Sequence, residues 1–146
     1  MLYTTDIAQG VKFHSLYDDK YKTEYFNAFF RVELSEKNAT LASLVSRILQ
    51  RGSSHFPSMK KLSEALDENY SATLGASSFK CADYEIFSVN LASLKDAFSL
   101  KGEKVFEKGI AILSDMLFSP LLEDGLFKNE YFESEKQNLI DSINSQ

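Results

Sequence analysis

A single cysteine, Cys81, leaves the chain without an internal disulfide. That fits a reducing compartment, and a cytoplasmic setting is the expectation. No apolar run approaches the roughly 20 residues that a membrane-spanning helix needs, so no membrane partner is expected. The opening, Met1-Leu2-Tyr3-Thr4-Thr5-Asp6, lacks a basic region followed by an apolar stretch, so no secretory signal is expected either. Basic charge is also scarce, with a net charge of −5. Phosphate recognition needs a basic stripe. The densest basic clusters are Lys20-Tyr21-Lys22 and Lys60-Lys61, both flanked by acids. They read as mixed solvated surface, and nucleic acid is excluded as a partner. Internal repeats and low-complexity segments are lacking as well.

What remains is an ordinary globular composition, 44% hydrophobic and 25% charged over 146 residues. A chain of this size buries roughly 68–70% of its unfolded surface, which is enough for one domain spanning 1–146. Gln9 to Tyr17 reads as a strand that begins after a turn at Gly10, with a further turn at Asp18-Asp19-Lys20. From Tyr25 the apolar residues alternate, with Phe26, Ala28, Phe30, Val32 and Leu34 on one face and Phe29 on the other, partly covered one. Period two is the mark of a half-buried strand.

The period then changes. Asn38 is a possible helix cap, and Leu41, Leu44, Val45, Ile48 and Leu49 recur at helical spacing as an apolar stripe up to Gly52. A second helix starts near Ser58, after Pro57, with Leu62, Ala65 and Leu66 inward. Residues 71–92 read as a hairpin, with arms Ser71–Phe79 and Tyr84–Leu91 and a turn near Cys81-Ala82-Asp83. A helix follows over Glu103–Phe118, carrying Phe106, Ile110, Leu113 and Leu117 on one side. Pro120 and Gly125 mark a loop, and a last helix runs from near Phe127 toward Ile143. These blocks predict an α+β fold, mainly an antiparallel sheet with helices packed on one face. The last helix shows no stop signal before Gln146, so a fragment of a longer, multi-domain chain is the expectation.

The 38–52 helix has a second face, made by Ser43, Ser46, Arg47 and Gln50. Positions 43, 46 and 47 stand at i, i+3 and i+4, so their side chains meet on one side. Two histidines and a glutamate at that spacing hold zinc and its water in zinc peptidases. The stretch Ser43-Leu44-Val45-Ser46-Arg47-Ile48-Leu49-Gln50-Arg51-Gly52 is followed by Phe56-Pro57-Ser58 and Leu62-Ser63-Glu64-Ala65-Leu66-Asp67. Near the other end stand Phe118-Ser119-Pro120 and Phe132-Glu133-Ser134-Glu135 through Ser142-Ile143. Together these resemble the insulinase/pitrilysin group, which includes the mitochondrial processing peptidases and carries an inverted HxxEH zinc motif. The likeness runs from about Gly10 to Ile143.

The resemblance implies that Glu135 matches a family glutamate lying seven positions before the third zinc ligand. It also implies that all four chemical positions are replaced: Ser43 and Arg47 stand for the first two ligands, Ser46 for the general base and Ser142 for the third ligand. Serine is a poor zinc ligand. Arginine stays protonated and has no lone pair to give. Without zinc no water of lowered pKa forms, and without a carboxylate at position 46 no base takes its proton. No catalytic residue, metal or cofactor is therefore expected.

Other clusters carry less. His14, His55 and Cys81 show no short metal-ligand spacing. Ser53-Ser54-His55 places hydroxyls beside an imidazole without a nucleophile-elbow pattern, and Cys81 has only Lys80 as a nearby base. The aromatics Phe26, Phe29, Phe30, Phe79, Tyr84 and Phe87 serve as core or as an apolar wall for an added peptide strand.

What the resemblance implies about function is a non-catalytic homologue of a zinc metallopeptidase. It would pair with an active zinc-bearing paralogue as a heterodimer, close a chamber with it and bind peptide substrate. The alternatives are a purely structural or assembly subunit, and an active endopeptidase with displaced ligands.

Overall fold

The computed structural model describes residues 2–145, so the start at Met1 and the end at Gln146 fall outside the described residues. The fold is α+β. Its chain order is β1 (Leu2–Ala8), β2 (Val11–Leu16), β3 (Thr23–Glu33), α1 (Glu36–Leu49), α2 (Met59–Glu68), β4 (Thr73–Cys81) and β5 (Tyr84–Leu94), followed by α3 (Val105–Phe118), a short pair β6 (Leu122–Glu123) and β7 (Leu126–Phe127), and α4 (Asn129–Asn144). A single 3-10 turn, Asp96–Phe98, links β5 to α3.

The central sheet has the order β3-β5-β4 and is antiparallel throughout. Its register pairs Phe26 with Leu91, Ala28 with Val89 and Phe30 with Phe87, and from the other side Leu74 with Leu91 and Ala76 with Val89. Directly opposed residues share a face, so one apolar surface runs across all three strands. The helices cover it. Leu49, Val89, Leu91, Leu113 and Met116 form the buried cluster, with Phe26, Ala28, Leu74, Ala76 and Phe87 packed around it. Val89 and Leu91 are wholly buried, and each such side chain contributes about 1.5–3 kcal/mol. The opposite face is open among the described residues: Tyr25, Phe29 and Phe79 are exposed there, so the expected partial cover over Phe29 is not found.

Several boundaries depart from the sequence reading. Leu2–Ala8 is a strand that pairs with Val11–Leu16 in an almost fully exposed hairpin, with its turn at Gln9-Gly10. Ser35, not Asn38, caps α1. Ser35 is extended (φ −152, ψ 159) and its hydroxyl accepts from the Asn38 backbone N–H, while the Asn38 amide donates to the Glu33 carbonyl at 2.8 Å. A hydroxyl one turn before the stripe satisfies a free helix N–H, so the helix starts earlier than its hydrophobic period does. Leu41 is exposed rather than inward. The α3 stripe is rotated by about one residue, because Val105, Gly109, Ile112, Leu113 and Met116 point deepest.

Two glycines are demanded by geometry. Gly52 adopts φ 148, and a Cβ there would lie 2.6 Å from the Phe56 carbonyl oxygen. Gly109 lets α3 settle onto the sheet, since a Cβ there would stand 2.9 Å from a Leu91 methyl.

Candidate functional site

Helix α1 lies against β4 and β5 on one side and α4 on another. Its C-terminal turn and α4 enclose a recess of about 250 Å³ lined by Arg47, Gln50, Arg51, Met59 and Glu135. Each lining residue has an identifiable reason to be there. Arg47, Gln50 and Arg51 follow at i, i+3 and i+4 and so face one way. Met59 begins α2, which Ser58 caps by accepting from the Lys61 backbone N–H. Glu135 is the one buried residue of α4.

The electrostatics divide sharply between the two arginines. Arg51 is fully engaged: its Nε donates to Glu135 Oε1 at 2.5 Å, Nη1 to the Met59 sulfur at 3.6 Å and Nη2 to Ser134 Oγ at 3.4 Å. Glu135, 8% exposed at its side chain, also accepts from the Asn138 amide. A buried carboxylate needs such pairing, because desolvation of an unpaired charge is costly. Gln50 is spent on backbone, donating to the Ser46 carbonyl at 2.8 Å and the Ala76 carbonyl at 3.1 Å, which ties α1 to β4. Arg47 has no hydrogen-bond, ion-pair or aromatic partner among the described residues.

Of the four positions singled out in the sequence, Arg47 alone lines the recess. Ser43 sits half-buried one turn before it. Ser46 is buried, with its hydroxyl turned back to donate to the Ser43 carbonyl at 2.8 Å. Ser142 is half-buried on α4, two turns beyond Glu135 and so on the same side of that helix, but it does not line the recess. A zinc ion does not fit these residues. Guanidinium offers no lone pair, the Ser46 hydroxyl is already committed, and the one carboxylate is neutralised by Arg51. Among the described residues no group of three His, Cys, Asp or Glu side chains is placed to hold a metal ion.

A second polar cluster joins residues that the sequence left apart. Ser53 Oγ donates to Asp115 Oδ2, and His55 Nδ1 meets Asp115 Oδ1 at 2.5 Å. Burial alone would raise the Asp115 carboxyl, but the hydrogen bonds from Ser53 and His55 outweigh it and hold it below the usual carboxylate range. The carboxylate stands in the middle and the imidazole outside it, the reverse of a hydrolase triad, in which histidine bridges nucleophile and acid. Ser53 is wholly buried and also accepts from the Phe56 N–H. The cluster therefore pins the 51–58 loop onto α3, with help from the Ser54 N–H to the Ser119 carbonyl. His14 is elsewhere, exposed and bonded to Thr4 Oγ1, and Cys81 is exposed at the β4–β5 turn.

An apolar cleft of about 400 Å³ opens beside the N-terminal half of α1, lined by Phe30, Val32, Leu41, Val45, Phe87 and Phe118 among others. Phe30 and Phe87 stack at 5.6 Å within it. The aromatic wall expected from the sequence thus lies partly in this cleft. Tyr84 instead lies under the Arg31 guanidinium, 4.5 Å from its ring centre. The hydrophobic period could not locate the cleft, because a cleft is defined by which apolar residues stay uncovered.

This architecture has relatives. A protein of Bacillus subtilis (strain 168) named probable inactive metalloprotease YmfF is 26% identical to this chain over 134 residues, which is 92% of this chain and 32% of that protein. A crystal structure described as a conserved protein from Enterococcus faecalis V583 matches it with a TM-score of 0.92 and 28% identity, covering 99% of this chain and 34% of that one. The chain thus spans about a third of the length of both relatives. No protein-family model matches it. The chain is similar to a metalloprotease-like protein whose own name calls it inactive. Among the described residues no helix is long and apolar enough to cross a membrane.

Proposed function

We propose that this chain is a non-catalytic module of the insulinase/pitrilysin type, one part of a longer protein that pairs with an active zinc-bearing paralogue and holds peptide for it. The observation that carries the reading is the content of the α1–α4 recess. Where the HxxEH spacing puts the second histidine stands Arg47, and beside it the buried Glu135 is already spent on Arg51. A fixed positive charge at that spot repels a divalent cation, so neither a Lewis acid nor a metal-bound hydroxide is available to attack a peptide bond. The likeness to a relative named inactive metalloprotease supports the same reading. Pairing and peptide binding rest on analogy of fold and not on residue chemistry.

A specific observation favours an assembly role as the second reading. The β1–β2 hairpin exposes Leu2 and Leu16 on one face and Tyr3 and Ile7 on the other, and the open face of the central sheet separately exposes Tyr25 and Phe29. Large apolar side chains exposed on both faces of a hairpin are surface that a neighbouring subunit could cover.

Zinc content is the deciding measurement. Purified chain is expected to carry no stoichiometric zinc and to cleave no peptide. The folded variant with Ser43→His, Ser46→Glu, Arg47→His and Ser142→Glu together is expected to gain zinc. About one equivalent of zinc in the unaltered chain, lost on chelation together with peptidase activity, would overturn the non-catalytic reading.

A further inference from the structure

We propose that the Arg47 recess is a carboxylate-binding site, taking the free carboxylate of a peptide. The inference builds on the non-catalytic reading, but the observations it uses are local. The chain has three arginines. Arg31 lies over the Tyr84 ring and Arg51 spends its Nε and both terminal nitrogens on Glu135, Met59 and Ser134. Arg47 is half-buried, faces the recess and has none of its five N–H donors satisfied by the described residues. A guanidinium carries its donors in a planar fork whose natural complement is a carboxylate or phosphate held through two parallel bonds.

The surroundings select the ligand. Glu135 cancels Arg51, so the recess keeps about one net positive charge, and it does so on a chain whose overall charge is −5. One unit of charge in about 250 Å³ suits a monoanion better than a phosphate dianion. Gln50 cannot compete for the ligand, because its amide nitrogen is fixed on the Ser46 and Ala76 carbonyls. The Ser43 hydroxyl, one helical turn from Arg47 on the same side of α1, makes no hydrogen bond with the described residues and lies outside the recess lining, so Arg47 is the donor the site offers. The recess is reached from solvent, since Met59 on its rim is exposed and Arg47 only half-buried. A fixed cation thus occupies the place where the family spacing would put a metal, and it attracts a peptide through its carboxylate instead of activating water against its amide.

The test is a titration followed by NMR of the arginine Nε–H signals, with the Arg47 signal assigned by its loss in Arg47→Lys. The probes are acetyl-trialanine with a free carboxylate, the same peptide as its C-terminal amide, an amidated peptide with a central aspartate, and inorganic phosphate. The free acid is expected to move the Arg47 signal saturably, with an affinity that falls as salt rises. The amidated trialanine is expected to bind at least about tenfold more weakly, the loss that follows when a charge-assisted pair is not made. Heats of binding of the free acid, which need no Arg47 signal, should vanish in Arg47→Gln and persist in part in Arg47→Lys. The aspartate peptide distinguishes a side-chain carboxylate from a terminal one, and binding of either supports the site. Equal responses to acid and amide, no saturable response to either carboxylate, or phosphate binding as tightly as the peptide acid would each overturn the proposal. Zinc content is blind to all of these outcomes, so failure here and failure of the non-catalytic reading are separately visible.

Discussion

The Arg51–Glu135 pair should be the most sensitive polar contact in the molecule, and a double-mutant cycle measures it. Glu135 is 8% exposed at its side chain and Arg51 26%. Arg51→Met removes the cation and leaves a carboxylate inside, with only the Asn138 amide still donating to it. Breaking a buried pair from one side costs about 3–5 kcal/mol. Water can reach the partly exposed arginine position, so about 2–4 kcal/mol is expected here. Glu135→Leu strands the arginine instead, which can turn to solvent, and should cost about 1–2 kcal/mol. The double variant replaces both charges by apolar groups and should lie within about 1 kcal/mol of the parent. The single costs sum to about 3–6 kcal/mol, so the coupling is about 2–6 kcal/mol in magnitude, well above what independent sites show. Urea unfolding followed by circular dichroism reads each value, and Arg51→Met should lower Tm by about 6–15 °C for a domain of this size. An Arg51→Met cost under about 1 kcal/mol, or additive single effects in the double variant, would show that the pair does not hold α4 against α1.

Gly109→Ala sets two opposed effects against each other. Alanine gains about 1 kcal/mol of helix propensity, but its Cβ would stand 2.9 and 3.1 Å from the two methyls of the wholly buried Leu91, and overpacking costs about 1–3 kcal/mol; a net loss of up to about 2 kcal/mol by urea unfolding is expected, and clear stabilisation would contradict the close approach of α3 to the sheet. Asp115 supplies a pH signature. Its carboxyl is lowered in the folded chain, so its contribution is fully present above the unfolded value near 4 and is lost as pH falls through the folded value. Asp115→Asn should therefore cost about 1.5–3 kcal/mol at neutral pH and progressively less in acid, as followed by unfolding at a series of pH values, and a cost independent of pH would refute the assignment of the charge to the Ser53 and His55 contacts.

Much of the fold was legible because it is local. The alternation of Phe26, Ala28, Phe30 and Val32, the helical period from Leu44 to Leu49, the Pro57-Ser58 helix start and the paired runs around Ala82-Asp83 each follow from spacing over a few residues. The strand Leu2–Ala8 was not legible, because among the described residues it stays almost wholly exposed, and an exposed hairpin imposes no hydrophobic period on its residues. The rotation of α3 was missed for a related reason: a stripe of large residues centred on Phe106 and Ile110 looks inward, but the closest approach to the sheet is made where a side chain is absent, at Gly109.

The sequence by itself determined the residue types at positions 43, 46, 47 and 142, and with them the chemistry those positions can perform: hydroxyls and a guanidinium neither hold zinc nor take a proton from water. Only the tertiary structure decided which of them share a space. It brought Arg47 to the recess beside Arg51 and Glu135, residues up to 88 positions apart in the chain (135 − 47), while turning Ser46 back onto its own helix. The physical reason is that helical spacing fixes a side chain's direction around its own axis, whereas the partner it meets depends on which helix packs there. Charge pairing is satisfied across that packing, and it leaves Arg51 consumed and Arg47 without a partner among the described residues.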